Sequence, residues 1–236
     1  MGGNLLESRW PTALIAIVVY IFFAASCADE GLDGPERLQF DEVHSVYLSV
    51  DRGDVMVLGR DSAAATVIDR WSSGHGGFET LAERESGDEL FVDAKCQSNQ
   101  SCRVRYDLAL APEADVEARV GEGELNLINI GGAVDAVVER GRLDSSGLRA
   151  DYGDVTVLDG TARLIFAEAP GNLMLRVGEE ASMVVYLPTE RYRCNFSENA
   201  ESISIGGVRC SDQASNTLRV DPPDASVRFV VRSQDG

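Results

Sequence analysis

The stretch Val116-Glu-Ala-Arg-Val-Gly-Glu-Gly-Glu-Leu-Asn-Leu127 decides the fold. Apolar residues occupy every second position from Val116 to Val120, glycines interrupt at Gly121 and Gly123, and the alternation resumes at Leu125 and Leu127. A period of two is the mark of a strand with one buried face. A glycine between two such runs marks a sharp change of direction, because a residue without a β-carbon takes positive φ at little cost. The stretch therefore reads as two short strands meeting at a glycine corner.

The same beat recurs along the chain. Val46 to Val50 precedes Gly53, Val55 and Val57, and Val134 to Val138 precedes Gly141 and Leu143. Leu148 to Tyr152 precedes Gly153, Val155 and Val157, and Leu164 to Phe166 precedes Gly171, Leu173 and Leu175. Repeat starts at 116, 134, 148 and 164 leave too little chain for a helix in each unit and suit paired short strands. Superposed units give one core column of Val46, Val116, Val134, Leu148 and Leu164, and a second of Leu48, Ala118, Ala136, Ala150 and Phe166. Tyr47, Glu117, Asp135, Arg149 and Ile165 then point outward, and Asp54, Glu124, Arg142, Asp154 and Asn172 follow the corners. The expectation is an all-β fold, a β-solenoid or β-helix-like stack of short strands with glycine corners. Short alternating runs before and after this region, from Val43 to Leu110 and from Met183 to Arg232, extend the pattern.

The motifs Gly53-Asp-Val-Met-Val-Leu-Gly59 and Gly153-Asp-Val-Thr-Val-Leu-Asp-Gly160, repeated in this setting, resemble the bacterial putative-adhesin families of surface and periplasmic proteins. The resemblance spans about residues 43 to 232 and implies a β-solenoid-like domain, often behind a lipoprotein signal, with no established enzymatic activity. The chain departs from that pattern between Gly59 and Arg103 and in its cysteines.

Composition bounds the partners. The 236-residue chain carries a formal charge of -18, and no run of Lys and Arg is available to bind a phosphate backbone, which argues against nucleic acid. Aromatic residues make up only 7%, so the apolar content is mainly small aliphatic, as suits thin stacked strands.

Residues 13 to 23 form an uncharged apolar stretch behind Arg9 and lead through Ala24-Ala25-Ser26 to Cys27, the layout of a secretory signal over residues 1 to 26. Ala24-Ala25-Ser26-Cys27 resembles a bacterial lipobox, although Ala24 stands where leucine is usual and Glu7 weakens the basic leader. On that reading Cys27 is lipidated, residues 27 to 40 are a flexible tether, and the domain runs from 41 to 236. Cleavage without lipid, or retention of the segment as an anchor, are the alternatives. Setting Cys27 aside leaves Cys96, Cys102, Cys194 and Cys210, which admit three pairings; the local ones, Cys96 with Cys102 and Cys194 with Cys210, are preferred.

Catalytic chemistry is not signalled. The chain has only His44 and His75, neither in a nucleophile motif, and no C-x-x-C spacing for zinc; no metal or other cofactor is expected. Asp54, Glu124 and Asp154, stacked beside successive corners, are the candidate surface-binding residues. The function expected is a non-catalytic envelope lipoprotein, held at the membrane by its lipid and acting in surface binding, scaffolding or envelope sensing, with a surface protein or glycan as partner. Ala28, rather than Asp, after Cys27 favours the outer membrane. The alternative is a glycan-active enzyme, which needs a pair of carboxylates about 5 to 9.5 Å apart.

Overall fold

A computed structural model describes residues 34–61, 65–74, 77–98, 100–195, 203–221 and 226–232. The signal-like segment, Cys27 and His75 lie outside the described residues. Those residues carry no helix and form strands in this order: β1 (Glu36–Phe40), β2 (Ser45–Gly59), β3 (Thr66–Ser73), β4 (Phe78–Ser86) and β5 (Glu89–Cys96). These are followed by β6 (Arg103–Leu110), β7 (Asp115–Ile128), β8 (Val134–Ser146), β9 (Tyr152–Ile165) and β10 (Asn172–Pro188). The last are β11 (Arg191–Asn195), β12 (Ile203–Gly206), β13 (Arg209–Cys210), β14 (Asn216–Asp221) and β15 (Ser226–Arg232). The fold is all-β, as expected.

Its centre is the parallel run β2, β7, β8, β9, β10. The strands in it are long rather than short, because hydrogen bonding continues through each glycine. Their connections nevertheless require them to bend. A straight strand of 13 residues, the length of β8, would extend about 43 Å, whereas the connecting residues 147–151 reach at most about 18 Å. A parallel neighbour can follow such a short link only if the strand folds back on itself.

The bend lies at Gly53, Gly123, Gly141 and Gly160, which pair in register. Their φ angles are all positive, 137° at Gly141 and 122° at Gly160. A Cβ on Gly141 would lie 1.9 Å from the carbonyl oxygen of Gly123, and one on Gly160 at 1.9 Å from that of Gly141. Gly123, Gly141 and Gly160 thus each rest on the backbone of the corner before them, and Gly53 rests on that of Val104.

The sheet forks at both ends of this seam. The first half of β2 pairs with β5 and its second half with β6; β10 likewise divides between β14 and β15. Two leaves result, and their inward rows form one cluster, with Val46, Val116 and Val134 in one leaf and Leu125 and Leu143 in the other, all at most 2% exposed. The antiparallel pairs β4–β5 and β1–β3–β6 finish the first end. A buried polar cluster joins them: Arg70 donates to Glu83 at 2.7 Å, Tyr106 Oη donates to the same carboxylate at 2.7 Å, and Arg70 also holds Glu36. Burial and the Glu83 charge push the Tyr106 phenol well above its ordinary range.

Three expectations change. The columns hold for Val46, Val116 and Val134 but continue through Gly153 and Leu173, not Leu148 and Leu164. Leu148 instead forms an isolated bridge to Phe166. The corners after Gly141 are accordingly Gly160 and then Ala181, not Gly153 and Gly171. The tether read to Phe40 gives way at Glu36 to a strand, because Leu38 and Phe40 pack against the core. Both preferred disulfides are present, with Cα separations of 5.8 Å for Cys96–Cys102 and 5.5 Å for Cys194–Cys210.

The corrected register separates two glycines that look alike in sequence. Gly141→Ala places a Cβ against backbone at positive φ and is expected to cost about 3 kcal/mol or more. Gly153→Ala meets only the Leu173 side chain, at 2.9 Å, and is expected to cost about 1 kcal/mol. Denaturant melts of both variants, followed by circular dichroism, check the order.

Candidate functional site

Asp54 and Glu124 are neighbours in register, immediately beyond the corners of β2 and β7. Neither carboxylate is idle. Arg103 donates to both Asp54 oxygens at 2.9 and 3.0 Å, and Asp54 Oδ1 accepts the Glu124 amide at 3.2 Å. Glu124 stands 4.0 Å from Arg142, which also bonds Asp144. The row continues through Arg142, Thr161 and Ser182, so the structure does not bring Asp154 to it.

Asp154 belongs to the other leaf. There Phe91, Tyr47, Glu117, Asp135, Asp154 and Met174 form one outward row across β5, β2, β7, β8, β9 and β10. Three carboxylates, Glu117, Asp135 and Asp154, thus stand on adjacent strands about 4.8 Å apart. Arg176 bonds Asp154. The Tyr47 ring stacks on Phe91 at 4.9 Å, and its hydroxyl donates to Glu89 at 3.3 Å. A hollow of about 160 Å³ opens here between Tyr47, Tyr152, Asp115, Glu117 and Asp135.

Partial burial, with Asp154 and Glu117 beside it, holds the Asp135 carboxyl above its ordinary range. Sequence reasoning placed Glu117 and Asp135 on the outside but missed their partner, because the misregistered column put Arg149 where Asp154 stands. The spacing of Gly141 and Gly160, one residue longer than that of Gly123 and Gly141, was the available signal.

A larger hollow of about 470 Å³ lies along the corner, lined by Asp51, Arg52, Gln97, Arg119, Glu122 and Arg140 among others. Its charges satisfy one another: Glu122 lies 3.8 Å from Arg52 and 3.2 Å from Arg140, and Asp51 accepts the Cys96 amide at 2.9 Å. Among the described residues no group of three or more His, Cys, Asp or Glu side chains has an arrangement that would hold a metal ion. No described helix is long and apolar enough to cross a membrane.

The chain is similar to a putative cell adhesion protein from Clostridium sporogenes, at 11% identity over 84% of this chain and 100% of that one, with a TM-score of 0.43. A putative adhesin from Bacteroides fragilis is 8% identical over 86% of this chain and 98% of its own, with a TM-score of 0.34. A putative lipid binding protein from Parabacteroides distasonis is 12% identical over 85% and 98%, with a TM-score of 0.31. No family model and no curated protein matches this chain.

The raised Asp135 carboxyl has a measurable sign. The folded protein holds this proton more tightly than the unfolded chain, so stability declines as pH rises from the unfolded value of about 3.9 through the folded one. Asp135→Asn removes that loss. The variant is expected to melt higher than wild type at pH 7, with the gap closing at pH 3.5; thermal melts at both pH values check it.

Proposed function

We propose that this is a non-catalytic cell-envelope lipoprotein: a β-solenoid that presents a broad strand-lined surface for adhesion, scaffolding or envelope sensing. One observation carries the reading. Five long strands stack in parallel register, and the ionic groups on their outer faces are largely paired with neighbours. Such faces are built to be stiff and exposed, and repeats that contact only their neighbours make extended binding surfaces. The signal-like N-terminus and Cys27 supply the envelope and the lipid, with the outer membrane preferred from Ala28. A surface protein or glycan is the expected partner.

The adjacent Asp135 and Asp154 favour a second reading, a glycan-active enzyme, since neighbouring strands bring carboxylates near the separation that a retaining mechanism uses. Two features weigh against it. Asp154 is committed to Arg176, and a hollow of about 160 Å³ is below the usual range for sites that enclose a small molecule.

Metabolic labelling with a fatty acid separates the possibilities at the N-terminus. Wild type is expected to take up label and Cys27→Ser to lose it; unlabelled wild type would remove the lipid from the reading. Glycan hydrolysis that disappears in Asp135→Asn would replace the binding role with the enzymatic one.

A further inference from the structure

The cations of this chain are nearly all arginine: Lys95 is its single lysine. About half of the described arginines are matched with carboxylates, as Arg103 is with Asp54 and Arg176 with Asp154. Among the rest, one group gathers on a single leaf. On the leaf built from the second halves of β9 and β10 and from β15, Val184 has Arg163 as its register partner on one side and Arg228 on the other. Two residues along β10, Tyr186 stands between Ile165 and Val230, and Arg232 pairs with Pro188 just beyond. Arg163, Arg228 and Arg232 are exposed, and no described carboxylate lies within ion-pair distance of any of them.

These three arginines come from segments 65 residues apart, so the cluster has no trace in the linear sequence. Its chemistry is specific. The guanidinium carbon of Arg163 lies 5.5 Å from the Tyr186 ring centre, and that of Arg232 lies 5.7 Å from it. Because β9 and β15 flank β10, the two approach the tyrosine from opposite sides. Stacking on an aromatic ring orders a guanidinium without using its N–H groups. The donors remain available for bidentate bonds to a carboxylate or phosphate. Arg163 and Arg228, two strands apart, are separated by about 10 Å across the sheet. Like charges at such range weaken a sheet unless something neutralises them. Asp144 is the register partner of Arg163, but its carboxylate is bonded by Arg142, and none of the three arginines forms an ion pair with a described carboxylate.

We infer that Arg163 and Arg232, stacked against Tyr186, together with Arg228 beside them form a binding strip for a linear anionic polysaccharide. The identification of the polyanion as a glycan rests on the envelope-surface reading above; the anion chemistry rests on the strip alone. Charge decides between a thread and a plane. Beyond Arg163 the same outward row continues through Asp144, Asn126, Met56 and Asp107, whose two carboxylates are matched by Arg142 and Arg105. A flat anionic bilayer laid on this leaf would gain no attraction from that row. A polymer following the arginines need not cover it. Half-buried Ile165, Val184 and Val230 supply apolar floor beneath the charges.

The test uses the full chain in neutral detergent micelles and fluorescent polygalacturonate, with dextran and polyglutamate as comparisons. Wild type is expected to bind polygalacturonate and to ignore dextran, with affinity falling at least tenfold between 50 and 200 mM salt on the order expected for several ionic contacts. The triple variant Arg163→Gln, Arg228→Gln, Arg232→Gln is expected to lose at least tenfold in affinity. Arg140→Gln, whose arginine is matched with Glu122, is expected to bind as wild type does. Tyr186→Ala is expected to weaken binding severalfold and Tyr186→Phe to restore it, since the ring and not its hydroxyl orders the arginines. Equal binding by the triple variant, or no preference over dextran, overturns the inference. Equal or tighter binding of polyglutamate overturns the glycan in favour of an acidic protein. A wild type that ignores polygalacturonate but is labelled at Cys27 loses the strip and keeps the envelope role.

Discussion

A carbonyl oxygen seated on a glycine is the contact from which the architecture follows. At the corner of β7 the oxygen of Gly53 lies 1.8 Å from where a Cβ on Gly123 would stand, and the same approach repeats at Gly141 and Gly160. No side chain fits between such backbones, so the seam between the two leaves can come no closer and admits no other residue. Alternating apolar rows on either side then fall on the inward face of their own leaf, where Val, Leu and Ala interdigitate into one core. Strand, corner and core are consequences of one steric requirement repeated along the seam. In β10 Ala181 takes the register position and the close approach falls instead at Gly178, where a Cβ would lie 2.1 Å from the carbonyl oxygen of Leu158; the register shifts there, between Val177 and Glu180.

This explains which parts of the architecture were legible in the amino-acid sequence. Gly53, Gly123 and Gly141 stand at matching places in their alternating runs, and the columns built on them are those of the folded protein. Gly153 misleads because Gly-Asp-Val follows the same apolar alternation that surrounds Gly53, although its place is the start of β9. Sequence shows that a glycine follows a strand run but not whether a carbonyl sits on it. The strand β1 was illegible for a different reason: five residues with two apolar side chains have too little periodicity to stand out from a polar leader. Both disulfides were legible, since each closes a local loop between strands that end near each other.

The candidate sites show the same division. Asp54 and Glu124 were correctly stacked, yet their chemistry depends on Arg103 and Arg142, which no spacing rule connects to them. Glu117, Asp135 and Asp154 meet only because the link between β8 and β9 sets a 19-residue offset between register partners. The arginines around Tyr186 are further removed still, gathered by the parallel addition of β15 to an interior strand. Charge balance over the whole chain concealed them, because a strongly acidic total says nothing about where cations congregate.

The antiparallel hairpins at the first end have a consequence for solubility. Parallel in-register strands with exposed edges are templates, and a stack of them can in principle recruit another chain without limit. Here the outermost strands β1 and β4 run against the direction of the strands they cover, and both carry charge, Glu36 and Arg37 in one, Glu79, Glu83, Arg84 and Glu85 in the other. The Arg70–Glu83–Tyr106 cluster ties the two covers together. A second molecule arriving at this end meets those charges on either edge strand instead of a bare ladder. The cap is thus a terminator for this end of the stack.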